Sequence, residues 1–459
     1  MGVQVVTSVS HTSGGTYCDG VFCPIVTHVL PFTGRKRSMG DERIIPPPPR
    51  NRRRECDILA ELPNTLGLVL WQDLRHVRDW AESPDEVRAR LFTSPTIEVR
   101  AKRRDARAFA AELTQAVDTF AAMKAQPVAV NPGEIATACE DVLRWALKQE
   151  HTRTAIEWAE IAAIVDGTNA KRANVAGRVT RNANDYERAE VWFKRGIGLA
   201  RDQGDVVEQV WGHLGYGRLC QELGWVEGAR KHLGRGSNLA WKDGPPSLAA
   251  SAQHDLAAML MVRGHLAEAV ERAQRALLWY PKRHPRIPYF AADVGLLLVL
   301  GSRYIPAARL LRTALRAIEQ PSVRAMVLAL SSRAFAGGGE PEEAAVYRSR
   351  ALKMLAKHRQ LEPVARWHLA DAHRLAGNWS AAQAEAEDTL QLAISLNDRE
   401  TERMTRTLLR LIAARRIARP KGAGTELRGF LRLLSERVGE WSPRRGRNYP
   451  GPWGEDRAA

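Results

Sequence analysis

A recurring pattern of small residues constrains this chain more than any other feature of its sequence. In the clearest copy, Ala257, Gly264, Ala269 and Ala276 stand at offsets 0, 7, 12 and 19. Copies of the pattern recur between Ala136 and Asn397, and they define seven candidate units whose first positions are 34, 40, 40, 38, 37 and 38 residues apart. Repetition at this period indicates an array of similar structural units.

Each unit is expected to form a pair of helices. A small residue midway along the first helix allows close approach of the second, and a glycine seven positions later can adopt the positive φ that ends the first helix. Two more small residues, seven apart, then share one face of the second helix. In chain order, these turn positions hold Glu150, Asn184, Gly224, Gly264, Ser302, Gly339 and Gly377. One hairpin cannot bury its apolar stripe alone, so neighbouring hairpins must stack.

The offsets resemble those of the tetratricopeptide repeat (TPR) family, which places small residues at equivalent positions. The resemblance covers roughly 260 of the 459 residues. It departs from the family in unit length, which mostly exceeds the usual 34 residues, and in the large aromatic residue of the second helix, which survives only as Phe193. The resemblance implies an all-α fold, a right-handed α-solenoid of about seven TPR-like helical hairpins with a helical lead-in and a capping helix.

The sequence predicts five segments. Residues 1–61 are expected to be a disordered, basic and proline-rich N-terminal segment in which Met39 is an alternative start, because prolines 46 to 49 favour an extended chain and the adjacent arginines repel one another. The remaining segments are a small helical lead-in at 62–130, TPR-like repeats at 131–398, a capping helix and a short helix at 399–441, and a disordered basic tail at 442–459.

The net charge of +16 lies mostly at the two ends of the chain. Residues 403–459 hold 14 Lys and Arg against 5 Asp and Glu, and residues 1–60 hold 8 against 5. The high isoelectric point therefore does not indicate that the repeats bind nucleic acid. No run of 18 apolar residues predicts a membrane span, and the N-terminus lacks the order of a secretory signal, so the expected location is cytoplasmic.

Motifs that carry catalysis are absent from the sequence. There is no glycine-rich phosphate loop, no dinucleotide-binding fingerprint, no zinc-protease helix and no serine nucleophile elbow. His11, Cys18, Cys23 and His28 have a spacing that matches no zinc module. The sequence therefore predicts a chain that is not an enzyme and has no cofactor or metal.

The resemblance does imply a binding groove lined by the first helices of the repeats. Carried over position by position, its peptide-binding residues are Arg144, Lys171, Asn174, Arg178, Arg181, Trp211, Arg218, Trp367 and Arg374, with His254, Tyr289 and Arg333 beside them. Lys171, Asn174 and Arg178 also share a helix face by their spacing, as does Arg181.

Basic side chains next to aromatic ones predict a peptide ligand that carries carboxylates. The expected function is therefore that of a protein-binding scaffold or adaptor whose partner is an acidic peptide or protein segment. Two alternatives remain open. The charges could merely solvate an exposed helix face, or the chain could be a transcriptional or signalling regulator that senses a peptide and contacts nucleic acid through its basic ends.

Overall fold

The protein is all-α, and its helices follow one another as consecutive hairpins. A computed structural model describes residues 45–92, 111–356, 358, 361–396, 398–417, 421–422 and 425–440. Within these ranges the regular secondary structure is helical throughout. Residues 45–208 belong to one compact unit and residues 209–440 to a second.

A lead-in of short and medium helices precedes the repeats. It comprises α1 (Arg52–Glu55), α2 (Asp57–Glu61), α3 (Thr65–Glu82), α4 (Asp85–Arg88), a 3-10 turn (Ala111–Leu113) and α5 (Thr114–Ala125). Trp80 of α3 is fully buried, as expected for a core residue, and Trp71 is half-buried. Phe120 of α5 stacks on Trp158 with ring centroids 5.2 Å apart, which joins the lead-in to the first hairpin.

Seven hairpins follow in the described residues, the number predicted from the repeat pattern. They are α6 (Pro132–Lys148) with α7 (Thr152–Val165), α8 (Ala170–Asn182) with α9 (Tyr186–Gln203), α10 (Val206–Glu222) with α11 (Val226–Asp243), α12 (Pro246–Val262) with α13 (Leu266–Trp279), α14 (Ile287–Leu300) with α15 (Tyr304–Ala314), α16 (Pro321–Gly337) with α17 (Pro341–Leu355), and α18 (Glu362–Leu375) with α19 (Trp379–Ser395). Two further helices, α20 (Arg399–Ala413) and α21 (Thr425–Glu440), come after them.

The turn inside every hairpin has a residue with positive φ at the predicted position. Gly224, Gly264, Gly339 and Gly377 have φ between 71° and 85°. The three units that lack glycine adopt the same conformation, with φ of 62° at Glu150, 61° at Asn184 and 57° at Ser302. The repeat geometry therefore imposes a left-handed turn even where the side chain disfavours it.

The small residue midway along the first helix marks a close helix-helix contact, as predicted. A Cβ atom added at Gly217 would lie 2.7 Å from Cγ of Leu233, and one added at Gly295 would lie 2.4 Å from Cδ2 of Leu311. Both distances are shorter than a van der Waals contact, so a larger residue would push the two helices of the hairpin apart.

Residues 45–61 are ordered, which differs from the disordered segment expected there. Residues 45–50 have no regular secondary structure and contact α9, where Arg195 donates to the carbonyl oxygen of Ile45 at 2.6 Å and Arg188 donates to that of Pro49 at 2.8 Å. Arg54 forms an ion pair with Asp185 at 2.5 Å. The sequence argument considered repulsion between neighbouring arginines, whereas the fold supplies acidic partners from distant helices. Residues 1–44, including the alternative start and the four His and Cys residues, lie outside the described residues.

The helix after the last hairpin covers it, as the capping prediction required. Leu408 and Ile412 of α20 pack with Ala370, Ala382 and Ala386 in one buried cluster. α20 ends at Ala413, six residues before the predicted end. The final helix α21 matches the short helix predicted between residues 427 and 438, and the predicted basic tail at 442–459 lies outside the described residues.

Candidate protein-binding surfaces

In the compact unit of residues 45–208, α8 has a basic face that solvent can reach. Lys171 is exposed, Arg178 is half-buried, and Asn174 lies between them on the same face. The amide nitrogen of Asn174 donates to the backbone oxygen and to the Oε2 of Glu208, both at 2.9 Å. These contacts place a carboxyl group from the first turn of α10 among the α8 side chains.

The pKa of the Glu208 carboxyl group depends on its burial and on the charged groups around it. Burial raises its pKa, and the hydrogen bond from Asn174 and the charges of Lys171 and Arg178 partly oppose that rise. Asp205 raises the pKa further. Lys171 and Arg178 are therefore near enough to the carboxyl group of Glu208 to favour its ionised form.

Arg172, Arg181 and Arg144 have partners within the fold. Arg172 forms an ion pair with Glu140 at 2.9 Å and a second one with Asp166. Arg181 was predicted to face a ligand, but it is only 7% exposed and donates to the Oδ1 of Asn182 at 2.8 Å. Arg144 is exposed and forms an ion pair with Asp141, one turn earlier on α6.

In the compact unit of residues 209–440, the predicted cations are buried at the contacts between first helices of successive hairpins, which we call seams. Arg218 of α10 is 4% exposed, and its Nε and Nη2 donate to the Oδ2 of Asp255 on α12 at 3.0 and 2.6 Å. Arg333 of α16 pairs with Asp371 of α18 at 2.5 Å, and Asp371 also accepts from Arg374 at 2.5 Å. These guanidinium groups hold helices together, which accounts for their burial.

The predicted aromatic residues of the second unit are half-buried. These are Trp211, Tyr289 and Trp367. The guanidinium carbon of Arg333 lies 4.7 Å from the ring centroid of Trp367, a cation-π arrangement. In this seam, the indole therefore packs against the ion pair.

A buried histidine lies in a third seam, between the first helices α12 and α14. His254 is 1% exposed; its Nε2 lies 2.8 Å from the Oδ2 of Asp293, and its Nδ1 lies 3.2 Å from the hydroxyl of Tyr280. Burial lowers the pKa of His254 well below its usual value, and the charges of Arg286 and Arg218 lower it further. The set contains the residue types of a catalytic base with its orienting acid, but all three side chains are at least 95% buried. The contact between His254 and Asp293 joins α12 and α14.

Two surfaces were not singled out from the sequence. Trp241 is 65% exposed and stacks on Trp279 with ring centroids 4.4 Å apart, and Leu278 beside them is 69% exposed. The second surface is formed by α14 and α15, where the C-terminal helix α21 docks. Tryptophans near the ends of successive second helices were a usable signal for the first, whereas no pattern in the sequence states where an amphipathic helix docks.

The described residues contain no group of three or more His, Cys, Asp or Glu side chains arranged to hold a metal ion. Among the helices of the described segments, none combines the length and the apolar character that a bilayer crossing requires.

Comparison with known proteins gives structural similarities only. No family model and no curated protein sequence matches the chain. BtubC (BKLC) from P. vanneervenii is 15% identical, with a TM-score of 0.39, over 48% of this chain and 92% of that one.

Two further similar structures are described as containing tetratricopeptide repeats. A signal transduction ATPase with numerous domains, which has a TPR sensor and comes from Pyrococcus horikoshii, is 13% identical, with a TM-score of 0.44, over 71% of this chain and 48% of that one. The TPR2AB domain of yeast Sti1, in a complex with pHSP90, is 13% identical, with a TM-score of 0.24, over 61% of this chain and 99% of that one. Similarity at this level identifies neither ligand nor activity.

Proposed function

We propose that this chain is a non-catalytic scaffold that binds partner proteins, and that the α8 face receives an acidic peptide segment. The observation that carries the proposal is the charge of α8, which has four cations, Lys171, Arg172, Arg178 and Arg181, and no acidic residue. Arg172 is engaged by Glu140 and Asp166, and Arg181 is buried. Lys171 is exposed and Arg178 is half-buried, so a ligand in solvent can approach these two cations.

The spacing of these two cations defines the ligand. Seven residues of α-helix separate Lys171 from Arg178, which is about 10 Å along the axis. In a peptide with the polyproline II conformation, which has three residues per turn and rises about 3.1 Å per residue, residues three positions apart share one face and lie about 9 Å apart. A peptide with two Asp or Glu residues at that separation would place one carboxylate at each cation.

Peptide selection tests the α8 face directly. A display library of random peptides, each about 12 residues long so that it exceeds the span of the two cations, would be selected on the native chain and counter-selected on a chain carrying Lys171→Glu and Arg178→Glu. We expect enrichment of peptides with two acidic residues three positions apart. The affinity of an enriched peptide, measured by fluorescence anisotropy, should fall at least tenfold on the double variant, because two charge-assisted contacts become repulsive. Arg181→Glu is left out because it would bury an unpaired acid.

A matched control separates the effect of where the charges are reversed from the effect of the change in net charge. Lys242→Glu and Lys353→Glu are exposed positions that change the net charge equally. This control chain should bind the enriched peptide as the native chain does. Enrichment of peptides without acidic residues, or equal binding to all three chains, would contradict the acidic-peptide proposal.

A further inference from the structure

The C-terminal helix α21 does not continue the sequential stack of helices. Its predecessor α20 packs on α18 and α19, the last hairpin. α21 packs instead on α14 and α15, the fifth hairpin, whose residues lie more than 100 positions earlier in the chain. The chain therefore returns past two hairpins to reach this surface.

The docked helix uses one narrow apolar stripe. Leu427, Phe430, Leu434 and Val438 are buried, at spacings of three, four and four residues. The opposite face is exposed and polar, and the Arg432 side chain is 81% exposed. This is the pattern by which an amphipathic helix occupies an apolar groove.

Backbone carbonyl oxygens bind the C-terminal segment near both of its ends. One belongs to the turn of the fifth hairpin, and the others lie just before that hairpin in the chain. Near the start of α21, the backbone N–H of Lys421 donates to the carbonyl oxygen of Ser302 at 2.8 Å. At the other end, Nη1 of Arg437 donates to the carbonyl oxygens of Leu277 at 3.1 Å and Tyr280 at 2.5 Å. Arg437 thus satisfies acceptors at the C-terminal end of α13, where a cation is favoured. α21 consequently runs antiparallel to α14.

The helix beneath α21 requires a cover. α14 has the sequence IPYFAADVGLLLVL, in which Asp293 is the one charged residue. From Ile287 to Val299 its residues are buried, apart from the half-buried Tyr289. A helix that is apolar on all sides must be enclosed on all sides, and α21 supplies part of that enclosure.

α21 itself is a weak helix without its docking surface. It has 16 residues and contains Gly429 and Gly439, which disfavour helix, and isolated helices of this length are marginal in water. Its order therefore depends on the four apolar contacts and on Arg437. A segment held in this way can open without unfolding the hairpins.

We propose that the α14–α15 surface is a binding site for an amphipathic helix of a partner protein, and that α21 occupies the site until the partner displaces it. The ligand class follows from α21: apolar residues at positions i, i+3, i+7 and i+11, with an arginine at i+10. This inference goes beyond the acidic-peptide site, because it uses a different surface and does not depend on Lys171 or Arg178.

The test uses the full chain with Phe430→Ser and Leu434→Ser, two changes confined to α21 that leave the docking surface intact. A fluorescent peptide of residues 425–440 should bind this variant at least tenfold more tightly than it binds the native chain, where α21 competes. The same peptide carrying both serines should not bind. A chain with Arg432→Ser, at an exposed position of α21, should bind as weakly as the native chain.

Three outcomes would overturn the proposal. The first is failure of the native-sequence peptide to bind the double variant when circular dichroism shows native helix content. The second concerns the unaltered chain, in which amide hydrogen exchange should be faster in α21 than in α14; equal protection would exclude displacement. The third is a native dimer that dissociates in the double variant, which would identify the occupant as α21 of a second copy.

Discussion

At the scale of single residues, the left-handed turns are the part of the structure that the sequence encodes most directly. Four of the seven turn positions hold glycine, and the other three adopt positive φ without it. A residue with a Cβ atom is strained in this conformation by roughly 1–2 kcal/mol. Glu150 and Ser302 are therefore positions at which the native sequence is less stable than the repeat pattern allows, whereas asparagine, as at Asn184, adopts this conformation more readily.

Glycine at one of these turns should stabilise the protein. Glu150→Gly relieves the strain at φ 62° and, after the entropy that glycine loses on folding, should raise the free energy of unfolding by about 0.5–1 kcal/mol. Glu150→Ala, which keeps the strain, should not. Gly264→Ala should lower the free energy of unfolding by about 0.5–1 kcal/mol, which is the backbone strain less the entropy that alanine saves. The φ of Gly264 is 79°, and the space around an added Cβ is open, so the backbone is the cause. Urea denaturation of the native chain and the three variants measures these differences. Equal stabilities of the native chain, Glu150→Gly and Glu150→Ala would contradict the account.

A second residue-scale feature is the buried ionic network of the first unit. Glu157 and Glu160, one turn apart on α7, are each no more than 1% exposed. Nη2 of Arg78 lies 3.4 Å from Glu157, while its Nη1 pairs with Glu55 at 2.8 Å. Burial, followed by the charge of Glu160, raises the pKa of Glu157 to about 7, although three arginines oppose the shift. Glu157 is therefore protonated in the folded protein at pH values where it is ionised in the unfolded chain.

This raised pKa predicts a loss of stability toward neutral pH. Between about pH 4.5 and 7 the folded state holds a proton that the unfolded state releases, so the stabilisation is complete at low pH and falls by up to about 1.4 kcal/mol per pH unit until pH 7. Glu157→Gln removes the titration. The difference in unfolding free energy between variant and native chain should grow in the variant's favour from about pH 5 to about pH 7.5. A constant difference over that range would show that Glu157 ionises in the folded state as it does in the unfolded chain.

At the scale of helices, the repeat pattern predicted the hairpins well and their polar seams poorly. Spacing alone identified seven hairpins, their turns and their close contacts, because a small residue or a left-handed turn is required by geometry local to one hairpin. The partner of Arg218 could not be read in this way. Asp255 lies 37 residues away on the next first helix, so their pairing depends on how two hairpins stack.

The candidate site was predictable to the same degree. Lys171 and Arg178 share one helix face that solvent reaches, since one helix fixes their relative position, and their contact with a ligand stays a prediction. Arg181, three residues further on, shares that periodicity but is buried by its surroundings. Neither the repeat spacing nor the periodicity of one helix predicts where α21 docks. Its amphipathic pattern predicted a helix, but many apolar surfaces could bind such an apolar stripe.

At the scale of the whole molecule, each flank of the described chain contacts hairpins of its own unit. Residues 45–50 are bound by Arg188 and Arg195 of α9, and the C-terminal helix lies on α14 and α15. The lead-in helices α1, α2 and α3 also contact α7 of the first hairpin, and the other contacts join helices that are near in sequence. Stability in such a chain approximates a sum of hairpin and nearest-neighbour terms, so damage should remain local.

Two glycine substitutions test this locality in opposite halves of the chain. An added Cβ at Gly177 would lie 2.9 Å from the Phe193 ring, so Gly177→Val should separate α8 from α9. Hydrogen exchange measured by mass spectrometry should show lost protection in α7, α8 and α9 and unchanged protection in α16 to α19. Gly295→Val, whose Cβ would clash with Leu311, should reverse the result, exposing α12 to α16 while α6 and α7 stay protected. Loss of protection along the whole chain in both variants would instead mean that all hairpins unfold as one cooperative body. The free energy of a partner binding to one surface would then be felt at every other surface, whereas local unfolding would keep the α8 face and the α14–α15 surface energetically independent.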